Sequence, residues 1–333
     1  MSTLKPVVAR RSDAKPIWLF RDYLIPLITP QHTGGHFAMA ISRLHPGDGP
    51  PPHIHGNEDE AFYVLEGEVT FLVRDKLVRA RAGSFVWGPR NVLHNFKCTS
   101  PAPAKMVLMV SPTAFMDFAS SMAEPAEDFD KPPELTPALI SRLMEVAPKY
   151  SIEMKLDHPM PTLITDAAAP RKRVWAMGED VSYLATADDT GGAFTFVEIS
   201  SAPRGGPPPH AHHREDEIFY VIEGTHEMQL DDRTETLAPG DAVFIPHGTM
   251  HRVTNASSTT RGRLLNIHTP GGFDKFFDEV GVPYADHAEA PPPPLMTREQ
   301  ISALLARHGM IGSSLAEPKE SDGFSSLSPR KAC

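Results

Sequence analysis

Cysteine is scarce in this chain of 333 residues: there are two, Cys98 and Cys333, far apart and with the second at the very end. A disulfide framework is excluded by that count, and a reducing cytoplasm is the expected setting. Nowhere does an uninterrupted apolar run approach 18 residues, so no membrane span is expected. The basic residues near the start (Lys5, Arg10, Arg11, Lys15) are not followed by an apolar segment of signal-peptide length. Long blocks of one charge sign are also missing. The net charge of −10 is spread along the chain, which argues against nucleic acid or an anionic membrane as a partner.

Proline, by contrast, is abundant at 34 residues, with runs at Pro50–Pro52, Pro132–Pro133, Pro207–Pro209 and Pro291–Pro294. Because proline removes a backbone donor and is excluded from helix interiors, this favours a loop-rich β protein. The length alone suggests about two domains.

The histidines decide the organisation. His53-Ile54-His55, Glu60 and His94 recur as His210-Ala211-His212, Glu217 and His251, every pair separated by 157 residues. Gly34-Gly35, Trp18, Gly67, Gly83 and Pro89 recur at the same spacing as Gly191-Gly192, Trp175, Gly224, Gly240 and Pro246. Ser111-Pro112 returns as Thr269-Pro270, slipped by one residue. The chain is therefore a duplication. Residues 1–150 form one copy, 151–312 the second, and the Ser-rich segment 313–333 is expected to be a disordered tail.

Within each copy, short apolar and β-branched runs (Ala61–Leu65, Val69–Val73, Ser84–Trp87; Ile218–Ile222, Ala242–Ile245) are punctuated by Gly and Pro. This is the pattern of an all-β sandwich or barrel. Short helices follow each barrel. Phe115–Met122 and Phe273–Val280 are amphipathic, Thr136-Pro137 opens a helix to about Ala147, and Thr297 to Gln300 is a capping box leading to His308.

On an extended strand, residues two apart share a face, so His53 with His55, and His210 with His212, aim at one point. Three imidazoles and a carboxylate per copy suit one divalent transition metal each, Fe, Mn, Ni, Co or Zn; the ligands do not choose among them, and Fe is the first expectation. Four ligands leave positions open, as in catalytic rather than closed structural sites. Glu58, Asp59, Glu215 and Asp216 also repeat and are read as rim or loop charges. His45, His213 and His247 have no repeat partner and are assigned surface or supporting roles. Phe37, Met39, Phe71, Phe85, Trp87, Phe194, Phe196, Met228 and Phe244 are read as barrel core, with pocket lining as the alternative. Cys98 is taken for a buried small side chain.

Gly47, His53, His55, Glu60 and Gly67, followed by Gly83, Pro89 and His94, resemble the two motifs of the cupin superfamily. His210, His212, Glu217 and Gly224, followed by Gly240, Pro246, Gly248, His251 and Asn255, repeat the resemblance. Arg204 replaces the opening glycine, Asn91 the turn glycine and Cys98 the closing asparagine. The resemblance implies two tandem cupin (double-stranded β-helix, jelly-roll) barrels. It also favours Glu60 and Glu217 over the neighbouring acids as fourth ligands. The closer likeness is to bacterial two-cupin quercetin 2,3-dioxygenases. It is carried by Gly34-Gly35, by the run from His45 to His55, and by Pro270 to Phe277 through Pro283-Tyr284. That likeness implies a small enolic aromatic substrate and O2, with ring cleavage and release of carbon monoxide. Glu60 and Glu217 then act as proton acceptors besides holding the metal. The rival readings are a metal-dependent isomerase, decarboxylase or lyase on the same site, and a non-enzymatic small-molecule binder. A monomer or homodimer is expected.

Overall fold

The computed structural model describes residues 4–168, 172–284, 291 and 297–312. The expected tail 313–333, Cys333 and most of the last proline run lie outside the described residues.

Each copy folds into two facing sheets. In the first copy the larger sheet runs Glu124–Pro125, Ile17–Leu19, Asp22–Ile28, Ala38–Leu44, Ala104–Ser111, Asp59–Glu66, Phe85–Gly88. Its smaller sheet runs Ile152–Met154, His53–His55, His94–Cys98, Glu68–Val73, Lys76–Arg81, Ile164–Asp166. The second copy repeats the larger order from Val282–Pro283 to Ala242–Ile245, and the smaller from Met310–Gly312 to Arg233–Leu237. The all-β double barrel with trailing helices is the fold expected from the sequence.

Three strands cross the boundary between the halves. Val7–Ala9 pairs with Ala242–Phe244 at the edge of the second barrel. Ile152–Met154 pairs with His53–His55, and Ile164–Asp166 lies parallel to Leu77–Arg79. A division at 150/151, as expected from the repeat, therefore cuts through the first barrel's smaller sheet. Val7–Ala9 and Ile164–Asp166 stand 157 residues apart, each ahead of its own barrel and paired with the other one, but they share no residue, so the repeat gave no sign of these crossings.

The helices Ala114–Met122, Pro137–Val146, Asp274–Val280 and Arg298–Arg307 close the barrels. Their caps follow the sequence: Thr136 accepts from the Leu139 N–H at 3.2 Å, and Thr297 and Gln300 cap each other reciprocally.

The apolar runs are continuous rather than alternating because the larger sheets are buried on both faces. In Asp59–Glu66, Phe62 and Val64 point into the first barrel, while Ala61 and Tyr63 point at the second. The same parity corrects the assignment of the aromatic residues. Phe37, Met39, Phe194, Phe196 and Phe244 form the core between the barrels, with Phe85 and Trp87 packed against it. The rings of Phe85 and Phe196 meet edge-on at 5.1 Å, and those of Trp87 and Phe194 at 6.4 Å. Only Phe71 and Met228 lie inside their own barrels. Tyr63 donates a 2.6 Å hydrogen bond to Glu198 across this seam, with Arg263 bonded to both.

Candidate metal centres

The two halves of each cluster are brought together by strand pairing within the smaller sheet and by the sheet facing it. His53 pairs directly with His94, and His210 with His251. Glu60 and Glu217 reach in from the opposite sheet. In each copy the ligand atoms of His, His, Glu and His all lie within 4.8 Å of one another, and all eight residues are buried. Turns at fixed backbone angles set the approach. Asn91 and Gly248 take the same left-handed conformation (φ 61° and 84°) before the last histidine, as do Gly47 and Arg204 (φ 87° and 58°) before the first. Asparagine tolerates that region, and Arg204 occupies it at some conformational cost.

The protonation pattern suits a cation. His53, His94, His210 and His251 each have Nδ1 within 2.8–3.0 Å of a backbone carbonyl, of Pro51, Val92, Pro208 and Thr249 respectively. Each Nδ1 therefore carries the hydrogen and donates it, leaving Nε2 as a lone pair directed at the cluster. Buried Nε2 atoms of His55, His212 and His251, with Oε2 of Glu217, have no hydrogen-bond partner among the described residues. Orphaned buried donors and acceptors converging on one point are what a metal ligand set looks like.

The electrostatics agree. Burial alone would raise Glu60, but His55, His94 and His53 overcome it and bring its pKa down to about 2. Glu217 is likewise held well below the ordinary carboxylate range, against burial, by His251, His268 and His212. Burial, with neighbouring imidazoles, pushes His53 far down and His210 to about 3. His55 and His251 are drawn upward against burial by their glutamates, so protons compete with a cation for those rings.

The neighbouring acids are not rim charges, as expected from their positions, but buried supports. Glu58 is 0% exposed and sits 2.5 Å from Nδ1 of His55, fixing that ring from behind. Asp59 accepts from the Arg90 backbone and guanidinium, and Asp216 from the His247 backbone N–H at 2.8 Å. Both acids thereby pin the turn that carries the last histidine. In the second copy Glu215 is engaged by Arg214 instead and stands 3.9 Å from His212. His45 stacks on Phe129 and takes no part in the cluster.

A family model for the cupin domain matches residues 40–111 and again 197–268. Two cupins stand in tandem in this chain. It is 23% identical over 299 residues, 85% of this chain and 88% of the relative, to quercetin 2,3-dioxygenase of Bacillus subtilis (strain 168). Among solved structures, oxalate decarboxylase from Bacillus subtilis shares the fold with a TM-score of 0.59 at 15% identity, over 94% of this chain and 89% of that one. Lactobacillus farciminis oxalate decarboxylase, in complex with formate, gives 0.57 at 16%, over 86% and 95%. No helix among the described residues is long and apolar enough to cross a membrane.

Around their shared ligands the two cupins differ. Glu217 Oε1 accepts a 2.8 Å hydrogen bond from Asn266 and lies 3.2 Å from Nε2 of buried His268. Its Oε2 faces His251 at 2.7 Å and His212 at 3.3 Å. In the first cupin the matching strand positions are Leu108 and Val110, which pair with Phe62 and Glu60. Glu60 there has His94 at 3.0 Å and His55 at 3.6 Å, one on each oxygen. Asn266 and His268 escaped the sequence reading because it relied on the repeat, which hides whatever only one copy has. Their signal was two polar residues at alternate, inward positions of an otherwise apolar strand.

The interiors differ more. A cavity of about 480 Å³ runs through the second cupin, with His210 and Glu217 at one end. Its walls include Ala176, Ser201, Val253, Leu264 and Asn266. At the corresponding positions the first cupin carries Leu19, Leu44, Phe96, Met106 and Leu108, all buried in its core. Four of the five replacements are bulkier or more apolar, and Met106 for Leu264 keeps the size, so the first barrel is filled where the second is hollow.

Proposed function

We propose that this chain is a metal-dependent dioxygenase of the quercetin 2,3-dioxygenase type, working in its second cupin on a flavonol or related enolic aromatic compound. The observation that carries this is the cavity. It is of a size that takes a drug-sized molecule, its wall is mainly apolar, and none of the described lining residues is Lys or Arg. A small dianion such as oxalate would find no cationic side chain among the described lining residues beyond the metal ligands, and would leave most of the apolar chamber unfilled. A flat aromatic ring system gains by burial there. The identity to quercetin 2,3-dioxygenase supports the same choice, whereas the oxalate decarboxylase likeness is one of fold.

Held by His210, His212, Glu217 and His251, a divalent metal would supply Lewis acidity that lowers the pKa of an enolic hydroxyl. Iron is our first assignment. The oxalate decarboxylase of Bacillus subtilis has Mn(II) centres, which makes Mn the next to test. The protein groups do the rest. Glu217, anionic and fixed through Oε1 by Asn266, presents Oε2 toward the cavity-facing ligands as a proton acceptor. His268 stands 3.2 Å from Oε1, on the side turned away from those ligands, and helps Asn266 hold the carboxylate. Phe273, stacked on His268 at 4.2 Å, with Phe276 and Phe277 behind it, keeps water from this wall. In the first cupin, Glu60 and its three histidines would hold a metal beside a core filled by Leu44, Phe96 and Met106. The buried, unpaired Cys98 fits a reducing cytoplasm.

Oxygen uptake and carbon monoxide release, measured with a flavonol after loading with Fe, Mn, Ni or Co, test the proposal. Stoichiometric uptake and release are expected with at least one metal. No uptake with any of them overturns it, and product formed under nitrogen would point to the oxygen-independent lyase or isomerase chemistry.

A further inference from the structure

The hollow of the second cupin has a second polar end. Glu217 is level with His268 and, across the next strand, with Thr195. Glu179 lies one position beyond the Asp180–Ser200 pair, beside Ser201 at the far end of that strand. From Thr195 to Ser201 the extended chain rises roughly 20 Å. Both glutamates line the cavity, and between them its wall is Phe219, Val253, Leu264, Ile199 and Val181.

Glu179 is an anomaly in that wall. It is 8% exposed, Oε2 accepts one hydrogen bond from the Ala202 N–H at 2.9 Å, and no hydrogen bond reaches Oε1 from any described residue. Among the described residues no Lys or Arg forms an ion pair with it. The first cupin shows how the same fold disposes of an acid here. Its counterpart, Asp22, is a carbon shorter and accepts from Ser42 at 2.7 Å. The residue corresponding to Ser42 in the second cupin is Ile199, so the internal partner is gone, the acid is longer, and a cavity stands in front of it. Oxygen Oε1 thus opens on the cavity with no partner among the described residues, free to meet a ligand there.

We propose that Glu179 is a specificity residue that accepts a hydrogen bond from a hydroxyl at the distal end of an elongated, largely apolar aromatic substrate. The acidic oxygen of that substrate faces Glu217 and the histidines. When the carboxyl is ionised, Oε1 can only accept, so above pH 7 a donor is the matching group. The assignment rests on the second cupin being the reaction chamber, but not on the substrate being a flavonol.

Two probes decide it: biphenyl-4-carboxylate and its 4′-hydroxy derivative, titrated calorimetrically under nitrogen into the metal-loaded full-length protein. The parent protein binds the hydroxylated probe more tightly, by roughly tenfold, the scale of one net hydrogen bond to a charged group. Glu179→Leu abolishes the preference while leaving the unhydroxylated probe bound at least as well. Ile199→Ser, which restores the internal partner seen in the first cupin, reduces the preference without removing the carboxyl, and serves if Glu179→Leu does not fold. Equal affinities in the parent, binding of neither probe, or a preference that survives both substitutions would overturn the assignment. A wrong flavonol reading shows separately, as absent oxygen uptake.

Discussion

Asn266 donates its side-chain N–H to Glu217 Oε1 at 2.8 Å, and its first-cupin counterpart, Leu108, has no polar atom to offer. One residue thus separates a carboxylate with a fixed orientation from one held only by its imidazole neighbours. A hydrogen bond to a buried charged group is worth about 1.5–3 kcal/mol. Asn266→Leu should therefore lower turnover by about ten- to a hundredfold while the second metal stays bound. Steady-state kinetics beside metal analysis check this; unchanged kcat would mean that Glu217 needs no such restraint.

Refilling the hollow should separate metal binding from substrate binding. Ser201→Leu with Val253→Phe installs the residues that the first cupin carries as Leu44 and Phe96. The double variant should keep two metals per chain and lose binding of aromatic ligands by at least tenfold, as read by anaerobic calorimetry. Since overpacking costs about 1–3 kcal/mol, its melting temperature has to be recorded beside the titration. Ligand affinity equal to that of the parent would show that the cavity is not where these compounds bind.

Removing one imidazole from each cluster asks whether the two metals share the work. His53→Ala and His210→Ala should each release about half of the bound metal, because each cluster depends on a directly paired histidine couple. Turnover should vanish in His210→Ala and largely survive in His53→Ala. Inductively coupled plasma analysis and oxygen uptake on the same samples give both answers. Loss of activity in both variants would place chemistry in the first cupin as well.

Stability should carry the mark of Glu179. Burial is the main cause that lifts its pKa from 4.5 to about 7, with the Ala202 N–H and Arg261 opposing and Asp180 adding to the rise. The folded state therefore holds a proton that the unfolded chain gives up at lower pH. That stabilisation is complete below about 4.5 and disappears as the pH climbs through 7. Glu179→Gln, neutral throughout, should match the parent near pH 4.5 and exceed it at pH 8 by up to about 3 kcal/mol. Urea unfolding of both proteins across that range measures the difference; a constant offset would contradict a buried, reluctant acid.

The ligand sets were legible because His-x-His on a strand has a fixed geometric meaning and because each set occurs twice. The fold followed from the same repeat, and the helix caps from Thr136 and Thr297. The asymmetry was not legible, for a physical reason. Ser201 and Val253 look like ordinary strand residues, and what matters is the volume they leave beside Leu264 and Asn266 on other strands. Glu58 was misplaced because it precedes its strand in the chain yet tucks beneath His55. The interfacial aromatics were assigned to the wrong core because a strand buried on both faces gives no alternation from which inside and outside can be told.

Val7–Ala9 completes the edge of a sheet whose other strands all lie beyond residue 172. During synthesis these residues leave the ribosome before either barrel, yet their place exists only after Ala242–Ile245 has been made. The beginning of the chain must therefore wait, unpaired, while two barrels form behind it, a non-local closure of the kind that slows folding. A protein lacking Val7–Ala9 would leave the distant barrel, the one with the cavity, with an exposed β edge.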